Sequence, residues 1–170
     1  MRSLFNRWRT PAKEVEPLYS ALVAEARRPA WYLEGGVADT LDGRFAVLAS
    51  LVALAILRLE DGSESAVRGS VALTESFIAD MDAQMREEGF GDPSLGKQVR
   101  SMVGALASRV DRWRHARGGE TDWADAVRFS IYRDAAPAEP AATFSGEALR
   151  RANEGMAGAS DEALMTGVLA

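Results

Sequence analysis

The chain has 170 residues, 47% hydrophobic and 26% charged, which suits one folded domain with its own core. Its net charge of −5 argues against a general nucleic-acid coat, and no DNA partner is expected. The absence of cysteine excludes thiol catalysis, disulfides and cysteine-ligated zinc, and a single histidine, His115, excludes a multi-histidine metal site.

The N-terminal segment, residues 1–12, differs in character from the rest of the chain. Its first nine residues, MRSLFNRWR, place Leu4, Phe5 and Trp8 on one side and arginines on the other. A short amphipathic segment of this kind can rest weakly on an anionic membrane surface. The alternative, which we favour, is a frayed tail or a packed terminal turn.

Helical periodicity then runs through the chain, and alternating strand patterns are almost absent. A first helix is predicted between Pro17 and Pro29, followed by a single turn, AWYLEGG. The next helix spans about Leu41 to Asp61 and contains an uninterrupted run of apolar and small residues. That run, residues 45–57, is shorter than the ~20 residues that a bilayer requires, so it predicts a buried central helix rather than a membrane anchor.

A long helix is predicted to end at MREEG, with Gly89 as its stop. GFGDPS is a tight connection in which Asp92 is the predicted N-cap of the following helix and Pro93 its first residue. The apolar residues of that helix, from Leu95 to Trp113, recur at helical spacing. The basic residues on its opposite side predict a basic face, which is formed by Lys97, Arg100, Arg109 and Arg112 and continued by Arg114 and Arg117.

The C-terminal third begins with a Pro/Ala-rich linker over residues 135–142, after a helix that contains Trp123. A weaker helix, SGEALRRANEGM, follows the linker. The sequence therefore predicts an all-α fold: a compact bundle of five to six main helices around a buried central helix, plus a C-terminal helix after the linker. The expected organisation is a segment at 1–12, a helical domain at 13–134 and a helical tail at 135–170.

Charged residues cluster at the start of the central helix, where two interpretations compete. Asp39 and Asp42 could act as general acid and base, with Arg44 holding an anion. The structural alternative, which we favour, is that Thr40 or Asp39 caps the helix while Arg44 forms an ion pair between helices.

Two further clusters have similar alternatives. Asp82 and Arg86, four residues apart, form an ordinary helix-stabilising pair, and the adjoining turn is a solvated loop or a partner contact. The basic face is either the solvated side of an amphipathic helix or a surface for RNA or the ribosome, whose binding would fall steeply with salt.

Three blocks, in this order, resemble the ubiquinol–cytochrome c chaperone family. They are YSALVAEARRPAWYLEGGVADTLDGRF, FIADMDAQMREEGFGDPSLGKQVRSM and ALASRVDRW. The resemblance covers about Tyr19 to Trp113, whereas the C-terminal third looks particular to this branch. The matching positions with a potential partner-binding role are Tyr32, Asp39, Thr40, Asp42, Arg44, Phe45, Asp82, Arg86, Glu87, Gly89, Gly91 and Asp92.

The resemblance implies an all-helical, non-enzymatic chaperone without catalytic residues, metal or cofactor. Its client would be newly made cytochrome b or another subunit of complex III, with a small partner chaperone or the ribosome as further contacts. With no evident transit peptide and a composition rich in Ala, Arg and Gly, the chain is expected to be a bacterial, cytoplasmic member that acts peripherally at the inner face of the membrane. Methionines such as Met81, Met85 and Met102 suit a groove for an apolar client, or else belong to the core.

Overall fold

The computed structural model describes residues 11–133, 135 and 137–169, so the predicted amphipathic segment at the N-terminus lies outside them. Every regular element in the described ranges is helical, which confirms the all-α prediction. The helices are α1 (Pro11–Ala26), α2 (Ala30–Leu33), α3 (Leu41–Glu60), α4 (Glu64–Glu87), α5 (Asp92–Arg117), α6 (Trp123–Val127), α7 (Glu139–Gly158) and α8 (Asp161–Met165). A π-helical turn, Arg128–Tyr132, continues α6.

Helix α3 is the axis of the bundle, as predicted. From Gly43 to Leu59 every residue is buried except Arg44 and Arg58. The helix packs against α1, α4, α5, α7 and the π-helical turn. An apolar helix is buried all round only where neighbours cover each side, and here they do. Within the described ranges, no helix combines the length and the apolar character needed to cross a membrane.

The connection into α5 differs by one residue from the prediction. Gly91, with extended backbone angles, occupies the N-cap position, and Asp92 is the first helical residue. The chain can make this sharp connection because Gly89 has a φ of 87°, which a glycine adopts without steric cost.

The predicted Pro/Ala linker is shorter than expected, because α7 already begins at Glu139 with Pro140 in its first turn. Proline is tolerated there, since the first backbone N–H groups of a helix have no partner within the helix. Leu149 and Met156 of α7 and Leu164 of α8 belong to the main core. The C-terminal helices thus share the core of the bundle.

An arginine from the central helix fastens this C-terminal region. Arg58 donates hydrogen bonds to the carbonyls of Met156 (3.1 Å) and Ala159 (2.7 Å) and to a carboxylate oxygen of Asp161 (2.9 Å). The other carboxylate oxygen of Asp161 accepts from the backbone N–H of Ser63 at 2.8 Å. Asp161 therefore joins the end of α3, the start of α4 and the start of α8.

Candidate functional site

The start of α3 is built by a cap and a close backbone approach. The Thr40 hydroxyl accepts a hydrogen bond from the Gly43 N–H at 3.2 Å, which confirms the prediction that Thr40 or Asp39 caps the helix. Asp42 lies exposed in the first turn, where its charge is favourable to the helix dipole. A Cβ atom on Gly43 would lie 1.9 Å from the Ala38 carbonyl oxygen, so only glycine lets the preceding loop run against the helix.

Arg44 is held by a neighbour from that loop. Its Nε and Nη2 atoms each lie 2.8 Å from Oδ1 of Asp39. The pair is local, between the loop and α3, so the predicted ion pair between helices is wrong at this position. Both side chains are more than 60% exposed, and the hydrogen bond from Arg44 to Asp39 raises the pKa of Arg44. The arrangement leaves a charged pair at the surface, accessible to a partner.

Beside this pair lies a cleft with two connected parts, which we call the mouth cleft. The inner part, about 60 Å³, has an apolar floor formed by Val23, Ala26, Leu41, Phe45, Leu48 and Met81. The outer part, about 400 Å³, is lined by Arg27, Pro29, Tyr32, Leu33, Asp39 and Arg44. Arg27, Tyr32 and Arg44 line both parts, so the cleft has a small apolar bottom below a wider charged opening.

Two tyrosines fix the walls of the mouth cleft. The Tyr32 hydroxyl donates to the Ala26 carbonyl at 2.8 Å, which joins α2 to the end of α1. The Tyr19 hydroxyl donates to Asp80 at 2.6 Å, which joins α1 to α4. Burial raises the pKa of both phenols, and for Tyr19 the hydrogen bond to Asp80 adds to the effect. Both therefore remain protonated donors at neutral pH.

The second predicted cluster lies further along α4. Arg86 Nε donates to Asp82 at 2.9 Å across one helical turn, as predicted. Glu87, Gly89 and Gly91 form an exposed end and turn. None of these residues lines the mouth cleft, but α4 itself contributes Asp80, Met81 and Gln84 to its wall.

The basic face of α5 is discontinuous. Lys97 and Arg100 are exposed, and Arg112 lies over the Phe129 ring at 4.5 Å. Arg109, by contrast, is only 3% exposed, so its assignment to an exposed basic face is wrong. The helical spacing predicted exposure, but the Arg109 side chain contacts the π-helical turn, where its Nε donates to the Ser130 carbonyl at 3.0 Å.

Salt bridges neutralise the far end of the same face. Arg114 pairs with Glu60 at 3.0 Å and Arg117 with Asp61 at 2.8 Å. A phosphate backbone would have to compete with these carboxylates, so the surface fits the solvated side of a helix better than an RNA surface.

Some residues of the mouth cleft were not among the predicted site residues: Arg27, Leu33, Asp80, Met81 and Gln84. Leu33 is 82% exposed, although the sequence places it in an otherwise apolar turn. Met81, for which the sequence left a groove and the core as alternatives, is both buried and part of the cleft floor.

In the described ranges, no three His, Asp or Glu side chains form a group suited to a metal ion.

These features define an all-helical protein with an apolar-floored cleft and mixed charges around its opening. Residues 33–170 match the family described as ubiquinol–cytochrome C chaperone. The chain belongs to this ubiquinol–cytochrome c chaperone family. The match runs to the C-terminus, so the expectation that the C-terminal third is particular to this branch is wrong.

The fold is also similar to a solved structure, the Cbp3 homolog from Brucella abortus. The two share 25% sequence identity with a TM-score of 0.78, over 93% of this chain and 88% of that chain. No curated protein matches the sequence significantly. The family and this similarity support an assembly chaperone for complex III.

Proposed function

We propose that the chain binds newly made cytochrome b through the mouth cleft and assists its maturation into the cytochrome bc complex. The proposal places the chain beside the membrane, where a client with membrane-spanning segments emerges. Family membership supports the client class, and the cleft supplies a surface of suitable chemistry.

The observation that carries the assignment to this cleft is the position of Leu33. Its side chain is 82% exposed at the edge of a recess whose floor is apolar. Covering an exposed leucine stabilises a complex by about 1.5–3 kcal/mol. Because the adjoining recess continues the apolar surface inward, an apolar client side chain can contact Leu33 and the floor together.

The charges around the opening restrict what such a client segment looks like. Arg27 and Arg44 supply positive charge, and Asp39 and Asp80 supply negative charge, all within the lining of the cleft. A segment that combines apolar side chains with charged neighbours satisfies both parts. The end of a membrane-spanning helix has this composition, since apolar residues give way there to polar ones.

The enzyme hypothesis lacks the environment that it requires. An acid–base pair at work needs a carboxylate withdrawn from water so that its pKa rises. Asp39 and Asp42 are both exposed, and Asp39 is engaged by Arg44. The geometry therefore favours a binding role for these residues.

The test is site-specific photo-crosslinking in cells that make the full chain. A photoreactive amino acid replaces Leu33 or, as the matched control, Val71, which is 58% exposed on α4. We expect a crosslink to cytochrome b from position 33 and none from position 71. Crosslinks of equal yield from both positions, or none to a complex III subunit from position 33, would contradict the assignment to the cleft.

A variant adds an energetic test. Arg44→Ala removes one partner of an exposed ion pair, and such pairs contribute little to stability because water screens them, so the variant should fold. We expect it to capture less cytochrome b in a pull-down from membranes, whereas Arg68→Ala, which removes a comparably exposed arginine on α4, should match the wild type. Undiminished capture by Arg44→Ala would make the pair purely architectural.

A further inference from the structure

A second recess, of about 320 Å³, lies between α5 and the π-helical turn. It is lined by Ala105, Ser108, Arg109, Phe129 and Arg133. Two of these five residues are arginines, and no carboxylate is among the described residues that line it. The described lining of this recess therefore supplies two cations and no anion.

Arg109 is a buried cation without a counter-ion in the described part of the chain. Its Nε and Nη1 atoms donate to the carbonyls of Ser130 and Ala105, both at 3.0 Å, and its guanidinium lies 5.3 Å from the Phe45 ring centre. Buried arginines are ordinarily paired with a carboxylate, because burying an unpaired charge is costly. Burial lowers the pKa of Arg109 to about 10, which leaves it charged at neutral pH.

The guanidinium keeps donors free for a ligand. Arginine has five N–H donors, and the two carbonyls fix the orientation of the group. Its Nη2 atom donates to no described residue, and it is not among the buried unpaired side-chain atoms of the described chain, which are Trp113 Nε1 and Ser130 Oγ. Nη2 is therefore not completely withdrawn from solvent, and Arg109 is among the residues that line the recess.

Arg133 brings a second positive charge to the recess at a conformational cost. Its φ of 53° and ψ of −116° are unusual for a residue with a side chain, and it follows directly after the π-helical turn. Strain of this kind and π-helical turns are both concentrated at functional sites. The charge of Arg133 also disfavours the charged form of Arg109, so the two cations repel one another across the recess.

We propose that this recess binds a phosphate monoester group through Arg109, Arg133 and Ser108. Such a group carries about −1.5 to −2 charges at neutral pH, which balances two guanidinium groups, whereas a carboxylate balances one. Its oxygens accept the paired N–H donors of arginine. Phe129, 40% exposed at the edge, offers an apolar face to whatever carries the phosphate.

The first experiment is calorimetric titration of the full chain with inorganic phosphate and with phenyl phosphate, at constant ionic strength. Arg133→Gln removes an exposed charge and should fold. We expect at least tenfold weaker binding from it, as for the loss of a hydrogen-bonded charge. Ser108→Ala should weaken binding less, and Arg151→Gln, an exposed arginine on α7, should change it less than twofold.

A second arm distinguishes the source of the phosphate. Vesicles of phosphatidylcholine are compared with vesicles that also contain phosphatidic acid, a phosphate monoester lipid, or phosphatidylglycerol, a diester. Retention on phosphatidic acid that Arg133→Gln abolishes identifies a lipid headgroup. Binding of phenyl phosphate without vesicle retention identifies a soluble phosphorylated compound.

Two results would overturn the proposal. The first is no phosphate binding at constant ionic strength. The second is equal weakening by Arg133→Gln and Arg151→Gln, which indicates general electrostatics.

Discussion

Gly43→Ala tests how the start of α3 is built. An alanine Cβ at this position would lie 1.9 Å from the Ala38 carbonyl oxygen and 3.2 Å from Cγ1 of Val37. The carbonyl would have to withdraw by about 1.5 Å to restore an ordinary contact. Overpacking of this kind costs about 3 kcal/mol or more, against about 1 kcal/mol gained from the better helix propensity of alanine.

We therefore expect Gly43→Ala to lower the free energy of unfolding by at least ~2 kcal/mol, and Tm by ~4–8 °C. Urea unfolding followed by circular dichroism gives the free energy of unfolding from the midpoint and the slope of the transition. Thermal unfolding followed by the same signal gives Tm. Gly104→Ala is the matched control, because a Cβ on this exposed residue of α5 would meet nothing within 4 Å. It should stabilise the chain by about 0.5–1 kcal/mol. If Gly43→Ala unfolds at the same urea concentration as the wild type, the loop does not press on the helix as described.

Two further predictions concern polar links between helices. Asp161→Asn should cost about 1 kcal/mol in urea unfolding at pH 7. Hydrogen bonds from Ser63 lower the pKa of Asp161 in the folded chain. The loss of stability in Asp161→Asn should therefore be full above pH ~4, where an unfolded aspartate is charged, and should vanish as the pH falls through the pKa of the folded state. A loss of stability that persists in strong acid would contradict this origin. Tyr19→Phe removes the hydrogen bond to Asp80 and should also cost about 1 kcal/mol. Because the Tyr19 pKa is raised, this contribution should be full below pH ~10 and decline above it. The pKa values of all three tyrosines are raised, so absorbance titration should show that Tyr19→Phe removes the phenol that ionises last.

The central helix and its cap were predictable because local rules decide them. A 13-residue apolar run bounded by Arg44 and Arg58 is too short for a membrane and too apolar for a surface, so burial was the remaining solution. Thr40 lies three residues before Gly43, the spacing at which a side-chain oxygen reaches a free N–H.

The fate of Arg109 could not be predicted in the same way. Helical spacing puts it on the polar side of α5 with Arg112, but the π-helical turn packs there and supplies a carbonyl acceptor. That contact joins residues 21 positions apart, and no local pattern encodes it. The exposure of Leu33 could not be predicted for the same reason, because an apolar residue in a short turn is buried only if another element packs against it.

The mouth cleft and the recess between α5 and the π-helical turn share structural supports. Phe45 forms part of the cleft floor, and the Arg109 guanidinium lies over its ring. Tyr132, directly before Arg133, donates its hydroxyl to the carbonyl of Gly35, two residues after Leu33. Displacement of either arginine by a ligand therefore acts on groups that also hold the cleft. Coupling between two binding sites is reciprocal. If a phosphate group in the recess strengthens client binding, the phosphate group must therefore bind more tightly to the client complex, by the same factor.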